Sequence, residues 1–177
     1  MTTLAACRVG STYALASDRM LSSNDFALSA VPKSRRVSPW LALAGTGAGA
    51  IYGWLRALTA DDAPADASSA IVALDRIAED FRGFAKERAI EGAAFLGITP
   101  WGIVLLHCEG GASIYTDTEQ AIGSGSAYAL GAMHAASAGP LAPPAAEEHV
   151  RRALWAAMRY DVYTGGPIDV LTIEAAP

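Results

Sequence analysis

Thr2-Thr3-Leu4-Ala5-Ala6-Cys7-Arg8-Val9-Gly10-Ser11-Thr12-Tyr13-Ala14-Leu15-Ala16-Ser17-Asp18-Arg19 opens the chain. Two short apolar flanks meet at Val9-Gly10-Ser11, the pattern of a β-hairpin. Thr2 stands at the head of the first strand and Asp18 closes the second. A methionine before so small a residue as Thr2 is a substrate for methionine aminopeptidase. Removing Met1 would put a hydroxyl nucleophile and an α-amine on one residue, the amine titrating at about 7.7–8.0. That is a nucleophile and its general base in one place. A small residue at position two is common in unrelated proteins, so Thr2 takes its meaning from its companions.

Lys33 follows Asp18 by fifteen residues, in Val31-Pro32-Lys33-Ser34-Arg35-Arg36-Val37. A terminal hydroxyl needs a nearby cation to favour its alkoxide and keep its amine neutral, and that cation needs an anion to fix it. Asp18 and Lys33 supply such a pair, although either alone reads equally as a solvated surface charge.

The remaining pattern is legible in outline. Trp40-Leu41-Ala42-Leu43-Ala44 reads as a buried strand ending at Gly45, and Gly47 and Gly49 lead into a helix over 50–58. Asp61-Asp62-Ala63-Pro64-Ala65-Asp66 breaks that helix. Ser68 or Ser69 is placed to cap the next one, where Ile71, Leu74, Ile77, Phe81 and Phe84 form one apolar stripe. Three apolar runs, 94–98, 103–108 and 112–115, are parted by Pro100-Trp101-Gly102 and Glu109-Gly110-Gly111, which predicts an antiparallel meander. A helix begins near Ser126 and stops before Gly139-Pro140. Beyond the linker Leu141-Ala142-Pro143-Pro144, another runs through Val150, Leu154 and Met158, and Ile168–Ile173 is a last strand. Strands, two helices, strands, two helices and a strand make an α+β fold.

Composition narrows the function. At 177 residues the chain is one domain by length. Hydrophobic residues make up 52% and charged ones 18%, which suggests apolar surface covered by partners. Net charge is −5 with scattered basic residues, so nucleic acid is not an expected partner. Cys7 and Cys108 read as reduced core thiols, and the three histidines lack metal-ligand spacing. No secretory signal or membrane-length apolar run is legible, which makes the cytoplasm the expected compartment. Gly123-Ser124-Gly125-Ser126 lacks the lysine and spacing of a phosphate loop.

The Thr2, Asp18, Lys33 order resembles that of proteasome β-subunits and of HslV, which are N-terminal-nucleophile hydrolases. Ala16-Ser17-Asp18-Arg19 is similar to the proteasomal segment around its aspartate, and Lys33-Ser34-Arg35-Arg36-Val37 is closer to HslV. Leu43-Ala44-Gly45-Thr46-Gly47-Ala48-Gly49-Ala50 resembles the Gly-rich strand-to-helix turn of both. Ala121-Ile122-Gly123-Ser124-Gly125-Ser126-Ala127-Tyr128-Ala129 is similar to the central motif, and Asp161-Val162-Tyr163-Thr164-Gly165-Gly166 looks proteasomal where HslV differs. The resemblance implies a four-layer αββα sandwich, two antiparallel sheets flanked by helices, over residues 1–177.

It further implies a threonine peptidase with Thr2 as nucleophile, Lys33 and Asp18 supporting it, and the Gly47 N–H as oxyanion donor, Gly45 being the alternative. Ser124, Asp161 and Thr164 match positions around the N-terminal amine, though each also reads as a turn or helix-closing residue. The backbone carbonyls of Met158, Asp161 and Thr164 correspond to a structural site for a monovalent or divalent cation, and no cofactor is required. Expected partners are further copies in a ring or stacked rings, an AAA+ unfoldase of HslU-like or other type, and polypeptide substrates. Pro32 and Met20-Leu21-Ser22-Ser23 depart from the family pattern, the latter leaving the ATPase unidentified. The alternatives are an amidase or acylase for a small substrate and a catalytically silent ring subunit. Lys33→Ala is expected to cut turnover by orders of magnitude with little change in folding, and Lys33→Arg to fail as well.

Overall fold

The computed structural model describes residues 2–23, 26–60, 62–139 and 144–177. Met1, Asp61 and most of the linker after Gly139 lie outside the described residues. The opening hairpin forms as β1 (Thr3–Val9) and β2 (Thr12–Asp18). A two-stranded ribbon follows, β3 (Met20–Ser23) and β4 (Phe26–Ala30), then β5 (Ser34–Ser38) and β6 (Leu41–Thr46). Helices α1 (Ile51–Ala57) and α2 (Ala67–Glu87) precede the meander β7 (Ala94–Thr99), β8 (Gly102–His107) and β9 (Ala112–Tyr115). Strand β10 (Glu119–Gly123) leads to α3 (Ser126–Ser137) and α4 (Ala146–Tyr160), and β11 (Ile168–Glu174) closes the order.

The strands make a four-stranded sheet in the order β10-β1-β2-β11 and a five-stranded sheet in the order β5-β6-β7-β8-β9. Strand periodicity sends alternate residues to opposite faces, and both faces of each sheet are covered. Leu4, Ala6, Leu15, Ala42, Ala44, Leu96 and Ile98 fill the space between the sheets. Their neighbours Ala5, Cys7, Ala14 and Ala16 pack instead on α3 and α4 through Val150, Leu154 and Met133. Leu41, Leu43, Phe95, Val104 and Leu106 face α1 and α2, against Trp54, Leu74 and Phe81. Two sheets sandwiched between two helical layers are the four-layer arrangement that the sequence motifs imply.

Several details differ from expectation. The cap of α2 is Asp66, whose carboxylate accepts the Ser69 N–H at 2.8 Å; Ser69 returns its hydroxyl from three positions inside the helix, completing a capping box. Ile71 is 45% exposed, because the buried stripe is Ala70, Leu74, Ile77, Phe81 and Ala85. β6 runs one residue past Gly45, as Thr46 pairs with Ala94. The ribbon β3–β4 and the strands β5 and β10 are rich in polar and small residues, and apolar runs alone do not find them.

Strand β1 is central in its sheet, paired with β2 on one edge and β10 on the other, with Thr3 opposite Gly123. Gly123 has φ +100°, and a Cβ there would lie 1.8 Å from the Thr2 carbonyl oxygen. Only a residue without a side chain lets β10 close on the head of β1. Gly123→Ala is therefore expected to destabilise the fold by about 2 kcal/mol or more, read as a lowered midpoint in urea unfolding.

Candidate active site

The chemistry gathers at the head of β1, in the gap between the two sheets. Thr2 is 1% exposed, and Thr3, Asp18 and Lys33 are fully buried. The Lys33 ammonium sits between three acceptors: the Thr2 Oγ1, with which it makes a short hydrogen bond, the Asp18 carboxylate, and the Met20 carbonyl at 2.5 Å. Asp18 receives Lys33 at 3.0 and 3.1 Å on its two oxygens. It also accepts the backbone N–H groups of Thr3 at 3.2 Å, Met20 at 3.1 Å and Gly165 at 3.3 Å. The anion thus ties the end of β2 to the start of β1, to the ribbon and to the turn after α4. Burial pulls the Lys33 amine below its ordinary range, and the Asp18 charge opposes that pull without cancelling it.

The burial corrects one expectation. A lysine removed from this position would strand the Asp18 carboxylate with no counter-charge in an unhydrated site. Lys33→Ala is therefore expected to affect folding.

A second chain of hydrogen bonds surrounds Thr3. The Gly125 N–H donates to Thr3 Oγ1 at 2.9 Å, and the Thr3 and Thr164 hydroxyls meet at 2.5 Å. Thr164 Oγ1 donates onward to Asp161 Oδ2 at 2.5 Å, so Thr3 is the donor to Thr164. Ser124 Oγ reaches the same Asp161 oxygen at 2.6 Å, while its N–H holds the Thr2 carbonyl at 3.0 Å. Burial opposes ionisation of Asp161, but hydrogen bonds from Ser124, Thr164 and the Tyr163 N–H outweigh it and hold the carboxyl below the usual range. The structure therefore brings Ser124, Asp161 and Thr164 together beside Thr2. Thr164 engages Thr3, a residue that sequence reasoning did not single out. The Asp161 carbonyl accepts the Thr164 N–H at 3.2 Å.

Gly45 and Gly47 separate clearly. The Gly45 N–H is already donated to the Lys33 carbonyl at 2.9 Å, which leaves Gly47 as the candidate donor. Gly47 has φ +128°, and a Cβ would meet Ala93 at 2.7 Å. It lines a cleft of about 680 Å³ with Thr46, Ala48, Glu91, Gly123 and Ser124. Sequence reasoning also passes over Tyr52, on α1, whose buried hydroxyl donates to the Gly45 carbonyl at 3.4 Å. Cys7 and Cys108 are buried free thiols away from this cluster, and burial pushes Cys7 up to about 12. No group of three or more metal-ligating side chains occurs among the described residues. No helix among them is long and apolar enough to cross a membrane.

Comparison with known proteins bears on the fold. The family model described as proteasome subunit matches residues 92–173. No curated protein matches the chain. Among solved structures, Thiobacillus denitrificans BPH in complex with epoxomicin is 25% identical, covering 99% of this chain and 100% of that one, with a TM-score of 0.83. The same protein without the compound in its description gives 23% and 0.81, with the same coverage. Eukaryotic HslV from Trypanosoma brucei is 21% identical over 98% of this chain and 99% of its own, at a TM-score of 0.75.

Two measurements test the buried pair. Lys33→Met is expected to cost about 3–5 kcal/mol of stability, the penalty of an uncompensated buried charge, and adding Asp18→Asn to it should restore much of the loss in denaturant titration. Asp18→Asn alone removes the charge that supports the ammonium. It should move the Lys33 titration to lower pH, followed by NMR of ¹⁵N-labelled lysine side chains.

Proposed function

We propose that this chain, proteasome- and HslV-like in fold, is a threonine-type endopeptidase subunit that cleaves peptide bonds through an acyl-enzyme on Thr2. The observation that carries the reading is the buried Lys33 ammonium, fixed by Asp18 and aimed at the Thr2 hydroxyl. A structural ion pair has no need of a threonine hydroxyl at its end. The likeness to BPH, described in complex with epoxomicin, supports the same reading.

The mechanism follows from these groups. With Met1 removed, the Thr2 α-amine takes the Oγ1 proton, through a water, as Oγ1 attacks the substrate carbonyl carbon. The carbonyl π electrons move to oxygen, where the Gly47 N–H would stabilise the charge; such a donor is worth about 2.7–4 kcal/mol. Collapse breaks the C–N bond, and the ammonium returns its proton to the departing amine. Water then attacks the ester, the amine again accepting a proton, and Thr2 is regenerated. Throughout, the Lys33 charge lowers the energy of the developing alkoxide without entering the proton balance. Ser124 and Asp161 surround the amine and hold it in place, and Thr164 steadies Thr3 beside it. A cation on the Met158, Asp161 and Thr164 carbonyls would serve only to stiffen this turn.

A general peptidase in the cytoplasm is safe only where folded proteins cannot reach it. This argues for a homo-oligomeric ring or stacked rings with Thr2 facing a chamber, fed by an ATP-driven unfoldase. Thr2→Ala should abolish peptide hydrolysis while light scattering shows the same assembly, and N-terminal sequencing of active protein should begin at Thr2. Full activity in protein that retains Met1 by mass spectrometry would overturn the assignment.

A further inference from the structure

Thr3 is steadied by Thr164, and the same contact works in the other direction. Thr3 heads the face of β1 that continues with Ala5, Cys7 and Val9 and packs on α3 and α4. Alternation along the strand turns it away from the side between the sheets, which Leu4 and Ala6 fill. The residue is fully buried, and a valine would occupy the same space, so packing alone does not call for an oxygen here.

The hydroxyl is used twice. Its oxygen accepts the Gly125 N–H at 2.9 Å, at the start of α3, and its hydrogen goes to Thr164 Oγ1 at 2.5 Å. Receiving that hydrogen, Thr164 turns its own to Asp161 Oδ2, also at 2.5 Å. Asp161 then holds Thr164 and Ser124 on Oδ2 and the Tyr163 N–H on Oδ1 at 3.2 Å, which fixes the plane of its carboxylate. Without the Thr3 hydroxyl, the Thr164 hydroxyl is free to turn about its C–O bond. Gly125 makes room for the chain of contacts: a Cβ there would overlap Thr3 Oγ1 and lie 3.1 Å from Asp161 Oδ2 and 2.9 Å from the Ala157 Cβ. The Gly125 N–H needs only an acceptor. The onward donation to Thr164 is what connects Thr3 to the chemistry.

We infer that Thr3 is a positioning residue: its hydroxyl aims the Thr164 hydrogen at Asp161 and so holds that carboxylate in its orientation beside the Thr2 amine. The inference rests on Thr2 being the nucleophile and its amine the base.

The test uses the assembled, Met1-processed protein and measures hydrolysis of a fluorogenic peptide per active site. Sites are counted by intact mass after labelling with a threonine-directed electrophile. Thr3→Val keeps the shape and removes the hydroxyl. It should lower kcat about three- to tenfold, the worth of one hydrogen bond, with KM nearly unchanged, and Thr3→Ser should restore kcat. Because Thr3 acts through Thr164, the double variant Thr3→Val/Thr164→Val should be no slower than Thr164→Val alone. Wild-type kcat in Thr3→Val, a loss that Thr3→Ser fails to restore, or a double variant slower than Thr164→Val would overturn the role of Thr3 and leave Thr2 as the nucleophile. Wild-type protein that does not label at Thr2 would overturn both. Should Thr3→Val not assemble, Thr3→Cys offers a weaker donor of similar size; a kcat below that of Thr3→Ser supports the inference and an equal one refutes it.

Discussion

Burying a lysine side chain completely is costly unless its charge and all three of its donors find partners, and at Lys33 they do. Asp18 supplies the counter-charge, Met20 a carbonyl, and Thr2 the third acceptor. Much of the local architecture exists to make that arrangement tolerable. Asp18 draws N–H groups from three separate segments, so the carboxylate is solvated by backbone where water is excluded. The ribbon beginning at Met20, the turn at Gly165 and the first pairing of β1 are thereby fixed to one another. An interaction that stabilises poorly when judged as a pair organises four chain segments around one hydroxyl.

The two helix-covered layers differ in kind: the one under α3 and α4 is rich in alanine, and the one under α1 and α2 is aromatic. Ala5, Ala14, Ala16, Ala153 and Ala157 pack in the first, whereas Trp54, Phe81 and Phe95 gather in the second, with ring centroids 4.7 to 5.1 Å apart. The alanine-rich composition that reads as merely apolar is thus partitioned by position. Arg35, half of an apparently ordinary basic pair, instead caps the end of α1 by donating to the Leu55 and Leu58 carbonyls at 2.9 Å.

Thr2, Asp18 and Lys33 are legible in the sequence because their chemistry is unusual in combination and their order can be read directly. The glycine motifs are legible because a backbone that approaches another this closely admits no substitute. Tyr52 and Thr3 escape notice for the opposite reason. A tyrosine on an apolar helix and a threonine in a strand are ordinary there, and their meaning lies in which oxygen they meet across the fold. The polar edge strand β5 and the short strands β3 and β10 escape because their hydrogen bonding, not their hydrophobicity, makes them strands. Ile71 misleads because five apolar residues at spacings of three and four define a stripe only to within about one position.

The sheet order β10-β1-β2-β11 has a consequence for biosynthesis. Strand β1 is synthesised before its partners: β2 follows closely, but the other edge of β1 waits for residues 119–123, and Asp18 waits for the Gly165 N–H. The surroundings of Thr2 therefore stay incomplete until nearly all of the chain has been made. The long sequence separation between Thr2 and its supports sets how late in synthesis the head of β1 can be completed.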